Sequence, residues 1–369
     1  MTGPLHRQWR LPQPDSGRLP GAALFLCLKH SLDAAQLTPV TDAAAPGAAA
    51  ALGEAEESLG RLAEESWAQY VSKRDYIEQT FRALLATPET IAIAEARYGR
   101  TAFAATQAIP AGRPMRLGDA TITLVPAGHV LGSAQVVVEA GGARAVVSGD
   151  YKRAADPTCA PFEPVPCDLF VTEATFGLPV FRHPPVAEEI ARLLASVAAH
   201  PERCHAIGAY ALGKAQRMIA ELRRAGWDRT IYLHGALVGL CTVYERLGIP
   251  LGPLETVRGQ GAELKGEIVL GPPSALNDRW ARRLPDPVIC AASGWMRVRQ
   301  RAKQRGVELP LVVSDHADWD ELTATITETG AQTVWVTHGA EEALCLWCAD
   351  QGLDARPLAL AGRGEEEAM

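Results

Sequence analysis

No stretch of this sequence is apolar for long enough to cross a membrane. The nearest is GAALFLCL at residues 21–28. It is too short to span a bilayer, runs straight into Lys29 and His30, and is poorly shaped for a secretion signal. A paired-cysteine framework is also missing. Eight cysteines scattered over 369 residues exclude a disulfide scaffold and suit a reducing, cytoplasmic setting. Cys345 and Cys348 make one CxxC in an apolar, helix-like segment, but no second pair completes a zinc site, so they read as core packing. Surplus positive charge is absent too. With 36 Lys and Arg against 43 Asp and Glu the net charge is −7, which excludes wholesale electrostatic binding of nucleic acid. Any such contact has to be a local basic patch.

What is there is ordinary for a globular chain: 47% hydrophobic and 21% charged residues, in a length that holds one large domain or two medium ones. Residues 1–60 are Pro-, Gly- and Ala-rich, with GEAEESLGRLAEES resembling a solvated helix. From Trp67 to Arg97 the pattern is helical. It breaks at Pro88, where Thr87 or a neighbour can cap a new helix, PETIAIAEARYG, stopped by Gly99.

Residues Thr121 to Lys152 organise the rest. TITLVPA, SAQVVVEA and ARAVVSGD read as three short strands, the second closed by Gly141-Gly142. His129 then follows one strand and Asp150 another. An imidazole and a carboxylate at strand ends, each next to a glycine, suit a metal-binding rim. The plainer alternative is a turn histidine and an N-cap aspartate. Downstream, DLFVT, HAIGAYA, TIYLHGA, EIVLGPP, PVICAASG, PLVVSDHADW and TVWVTHGA are apolar runs ending in small or polar residues. Amphipathic helices at 184–199 and 214–225 fall among them. Strand and helix alternate, giving an α/β class with polar residues gathered where strands end. His129, Asp150 with Glu173, His316 and His338 stand at four such ends. Neutral imidazole and carboxylate are what zinc or manganese takes.

One basic stripe stands out. Arg297, Arg299, Arg301, Lys303 and Arg305 place five cations in nine residues without an acid, able to grip phosphates or to form a solvated helix face. Lys214 at a helix start, Lys152 and Arg153 are further phosphate candidates, with surface salt bridging as the alternative. Tyr210 can stack on a base; buried packing suits Trp319 better.

GHVLGSAQ, SGDYKR, VTEATFG, GAYALGKAQR, ASGWMR, SDHADWDEL and THGAEEA, in that order, resemble the metallo-β-lactamase-fold nucleases that carry a β-CASP insertion, above all the bacterial ligase-associated DNA exonucleases. The resemblance runs from Leu85 to Leu358. It implies an αββα sandwich with an inserted α/β β-CASP domain, divided as a poorly matched segment 1–84, core 85–184, insertion 185–290 and core return 291–369. It implies two divalent ions, zinc or manganese, with His129 and His338 as ligands and Asp150 as the bridging carboxylate. His316 would contact the scissile phosphate or protonate the leaving oxygen, and Glu173 would orient neighbouring imidazoles. The activity implied is phosphodiester hydrolysis in DNA repair beside a DNA ligase and a helicase, with RNA processing as the alternative in the same superfamily.

The sequence departs from that family at one place. The His-x-His-x-Asp-His motif should precede LATPET, yet the register holds Val71, Lys73, Asp75 and Tyr76, of which only Asp75 matches as a tentative ligand. Without the motif each ion keeps about two protein ligands, below the three or four usual for zinc. His6, His30 and Asp33 lie upstream but not in strand-end surroundings. Two readings stay open: a metal-poor relative that still binds nucleic acid, or a disrupted reading of an ordinary N-terminus.

Overall fold

The structure is a computed structural model that describes residues 83–103, 105–257 and 262–358. The expectations placed on Asp75, on Val71, Lys73 and Tyr76, and on His6, His30 and Asp33 lie outside the described residues.

In chain order the first elements are β1 (Ala83–Ala86), α1 (Pro88–Tyr98), β2 (Ala105–Ala108), β3 (Met115–Leu117), β4 (Ala120–Pro126), β5 (Ala134–Ala140), β6 (Ala143–Val147) and β7 (Leu169–Ala174). Next come α2 (Val186–Ala199), β8 (His205–Gly208), α3 (Lys214–Arg224), β9 (Ile231–Leu233), α4 (Gly235–Arg246), β10 (Leu254–Thr256), β11 (Ile268–Gly271), β12 (Val288–Ala292), α5 (Arg299–Gln304) and β13 (Leu309–Leu311). The last are α6 (Trp319–Thr329), β14 (Thr333–Gly339), α7 (Glu341–Asp350) and β15 (Asp354–Pro357). No helix among the described residues is long and apolar enough to cross a membrane.

The helical reading of residues 67–97 needs correction at Ala83–Ala86, which is a strand paired in parallel with β2. Leu84 and Ala86 are buried while Leu85 between them is half-buried, the two-residue period of a strand. Pro88 also disfavours helical geometry at Thr87, so the chain arrives extended. Helix α1 starts only there, with the Thr87 hydroxyl accepting from Thr90 N at 3.2 Å.

One sheet has seven strands in the order β15-β14-β7-β6-β5-β4-β3. Strands β6, β7, β14 and β15 are parallel, and β3 to β6 are antiparallel. Two antiparallel steps separate β4 from β6, so β4, β6, β7 and β14 all end at one rim. Side chains alternate across this sheet. Val334 and Val336 join Phe170 and Val146 under α6 and α7. Trp335 between them faces the other way, with Val171, Val147 and Ile122.

A second sheet has six strands, all parallel, in the order β10-β9-β11-β8-β12-β13. Its strands are short and apolar, and its largest core joins them to α1, α2, α3 and α4. The return boundary expected at 291 falls inside this sheet, because β13 still pairs with β12. Residues 312–318 then carry the chain back toward the rim of the seven-stranded sheet.

Candidate metal centre

Three segments bring their polar residues together at that rim. The loop between β4 and β5 carries His129, the turn after β6 carries Asp150, and the 312–318 segment carries His316. Ligand atoms of these three buried residues all lie within 4.8 Å of one another. Gly128 lets the first loop come close. Its φ is +70°, and a Cβ there would collide with the Lys152 carbonyl oxygen and sit 3.0 Å from Phe162 N. The Ser133 hydroxyl accepts from His129 N at 3.0 Å and Val130 N at 3.1 Å, closing the loop.

Hydrogen bonds decide which ring nitrogens face the cluster. His129 Nδ1 lies 2.8 Å from the Asp315 carbonyl oxygen, which can only accept. Nδ1 therefore carries a proton, and in the neutral ring Nε2 keeps its lone pair. His316 Nδ1 lies 2.9 and 3.1 Å from the two Glu173 oxygens, and an ionised Glu173 fixes the same tautomer. Glu173 Oε1 also accepts from Tyr151 N at 2.7 Å, which anchors the carboxylate to the segment bearing Asp150. Burial pushes the His316 imidazole well below its ordinary pKa, against the pull of Asp315, which favours the neutral ring. Two imidazoles and a carboxylate, each buried and each ring oriented from behind, fit a zinc or manganese ion.

The remaining expected site residues fall differently. His338 ends β14 at the same rim with φ +60°, but it is not one of the three clustered residues. Gly339 after it is obligatory, since a Cβ would collide with the Ala174 carbonyl oxygen. Lys152 and Lys214 do not offer surface phosphate contacts. They are 1% and 2% exposed, and both ammonium groups are used internally. Lys152 Nζ donates to Gly128 O (2.6 Å), His129 O (3.0 Å) and Asp156 Oδ2 (2.8 Å), filling its three donor positions. Lys214 Nζ donates to Val313 O at 2.7 Å and lies 3.0 Å from Asp315 Oδ2. Arg153 pairs with Glu328 at 2.9 Å. Arg297, Arg299, Arg301, Lys303 and Arg305 are all exposed, and the Arg301 guanidinium lies 4.1 Å above the Trp295 ring. Tyr210 is exposed and Trp319 buried.

Sequence reasoning missed Arg217, Asp156 and Asp315, whose side chains are all buried behind the cluster. A signal existed: Lys214 and Arg217 are three apart on one helix and share a face. Burial works against ionisation of Asp315, but Lys214, Lys152 and Arg217 hold its carboxyl far below the carboxylate range. Asp156 is lowered too, by Lys152 and Arg217 against burial. A depressed folded-state pKa contributes stability that is present above the unfolded value, about 4, and lost as pH falls below it. Circular dichroism across an acid titration should therefore show stability falling from about pH 4 downward. Asp315→Asn should flatten that limb.

Against known proteins, no family model matches the chain. A probable DNA ligase of Opitutus terrae is 27% identical over 304 residues, 78% of this chain and 29% of that protein. The endoribonuclease ysh1 of Aspergillus fumigatus is 35% identical over 103 residues, 27% of this chain and 12% of the relative. Cleavage and polyadenylation specificity factor subunit 3 of Dictyostelium discoideum is 36% identical over 103 residues, 27% of this chain and 13% of the relative. These relatives are consistent with the sequence's resemblance to the metallo-β-lactamase-fold β-CASP nucleases. The chain spans less than a third of the length of each of these three relatives. Its mixed α/β architecture of several sheets is the part of the expected fold that the structure itself displays.

Proposed function

We propose that this chain is a metal-dependent nuclease that hydrolyses phosphodiesters in DNA. The observation that carries the reading is the buried His129–Asp150–His316 cluster at the strand-end rim of a chain related to nucleases. In this reading the seven-stranded sheet belongs to an αββα sandwich and the six-stranded sheet to a β-CASP insertion. His129, Asp150 and His316 would hold an ion, zinc or manganese, and His338 at the same rim would serve a second. Divalent ions held there would supply Lewis acidity toward a phosphoryl oxygen. Asp150 would supply the anionic oxygen that holds them, and Glu173 keeps His316 in the tautomer whose Nε2 accepts. In that tautomer His316 serves as ligand or base. Protonating a leaving oxygen would require the imidazolium, which its burial disfavours.

The exposed stripe Arg297, Arg299 and Arg301 grips the substrate backbone, replacing the buried Lys152 and Lys214 in that role. A DNA ligase is the partner that the ligase-named relative suggests. RNA is the second candidate substrate, favoured by the local identity to endoribonucleases.

Matched DNA and RNA strands incubated with the protein in Zn²⁺ or Mn²⁺ test this. DNA shortening that stops with chelator is the expected result. Preferential RNA cleavage moves the assignment to RNA processing, and binding without cleavage of either overturns the enzyme. In the same experiment Arg297→Ala with Arg299→Ala should weaken binding and reduce the slope of log K against log salt by about 2. An unaltered slope removes the stripe from the interface.

A further inference from the structure

We propose that Lys214 and Arg217, on the helix that follows β8, are positioning residues for the metal centre. They fix the 313–316 segment and through it both imidazoles. The inference rests on the metal-centre reading above.

Lys214 and Arg217 between them hold three successive residues of that segment. Lys214 Nζ takes the Val313 carbonyl at 2.7 Å, Arg217 Nη1 takes the Ser314 carbonyl, and the Asp315 carboxylate lies 3.0 Å from Lys214 and 3.3 Å from Arg217. The Asp315 carbonyl so placed is the one that orients His129. His316 is the next residue, and the Ser314 hydroxyl clasps its backbone by accepting from N at 3.0 Å and donating to O at 2.8 Å.

The same network returns to His129 from behind. Arg217 Nε lies 3.5 Å from Asp156 Oδ2, Asp156 pairs with Lys152 at 2.8 Å, and Lys152 donates to the Gly128 and His129 carbonyls. His129 is therefore held by its imidazole and by its own carbonyl through one closed circuit of side chains. Each charged side chain in the circuit is 3% exposed or less. Helix α3 also meets the His129 loop directly: Gly213, with φ +79°, leaves no room for a Cβ beside Val130 Cγ1.

A circuit of five buried charges is a poor stabiliser beside well-packed apolar side chains. What it adds is direction. Hydrogen bonds to carbonyls fix where a ring points, and apolar contacts do not.

Cobalt provides the test, because its visible absorption reports ligand geometry without catalysis. Arg217→Met keeps length and removes the donors. It should bind Co²⁺ about 10- to 100-fold more weakly, with an altered visible band, while its far-ultraviolet circular dichroism stays native. Arg217→Lys, which keeps the charge, should recover part of the affinity. If Arg217→Met does not fold, Asp315→Asn, which keeps the carbonyl and the side-chain shape, should show the same loss. Unchanged Co²⁺ affinity and band in the folded variant overturn the positioning role while leaving the metal centre intact. Absence of Co²⁺ binding by the unaltered protein overturns the metal centre and this inference with it.

Discussion

Asp150→Asn should lower divalent-metal affinity by more than about 100-fold, beyond what loss of an outer-sphere partner usually costs. Elemental analysis after dialysis against a Zn²⁺ buffer measures it as metal bound per chain. The side chain is 4% exposed, and Asn has the same shape, so packing around it should survive. What changes is charge. A carboxylate offers a hard anionic oxygen to a dication, whereas an amide oxygen offers only a dipole. His129 and His316 are imidazoles and carry no negative charge to replace it. Unchanged stoichiometry in Asp150→Asn would remove Asp150 from the site and leave the nuclease assignment without its central ligand.

The second large effect is on stability. Asp156→Ala should destabilise the fold by about 3–5 kcal/mol, because it leaves Lys152 and Arg217 as buried cations short of a counter-charge. Asp156 is 3% exposed at its side chain, pairs with Lys152 at 2.8 Å, and accepts from both Thr158 N at 2.8 Å and Thr158 Oγ1 at 2.7 Å. An exposed pair supplies the control. Arg182 and Asp320 meet at 2.8 Å with side chains 52% and 61% exposed, and Arg182→Ala should cost about 1 kcal/mol or less. Denaturant unfolding of both variants measures the difference. Equal midpoints would mean that water or rearrangement satisfies the buried cations.

The two halves of the problem were unequally legible. Strands β4, β5 and β6 could be read from alternating Val, Ile and Thr and from the Gly141-Gly142 turn, since pleat and turn geometry are local properties. Helix α1 was legible for the same reason, through Thr87 and Pro88. Ala83–Ala86 was not, because four apolar residues fit either period and only its partner β2 makes them a strand.

At the site, His129, Asp150, Glu173 and His316 could be named as candidates because each follows an apolar run where a strand ends. Which of them meet was decided in three dimensions. His316 joins His129 and Asp150 although some 166 residues separate it from the nearer of the two along the chain, because 312–318 bridges the two sheets.

Charge was the part most easily misread. A lysine letter carries its charge but not its solvent, so Lys152 and Lys214 looked like phosphate contacts until their burial among Asp156, Asp315 and backbone carbonyls was visible. Local sequence thus determined the α/β class, the strand-end chemistry and the exposed arginine stripe. Tertiary structure alone decided which cations face water, which carbonyl and carboxylate meet each imidazole, and which helix holds the 313–316 segment. Those outcomes depend on partners a hundred residues away, and desolvation, not spacing, sets them.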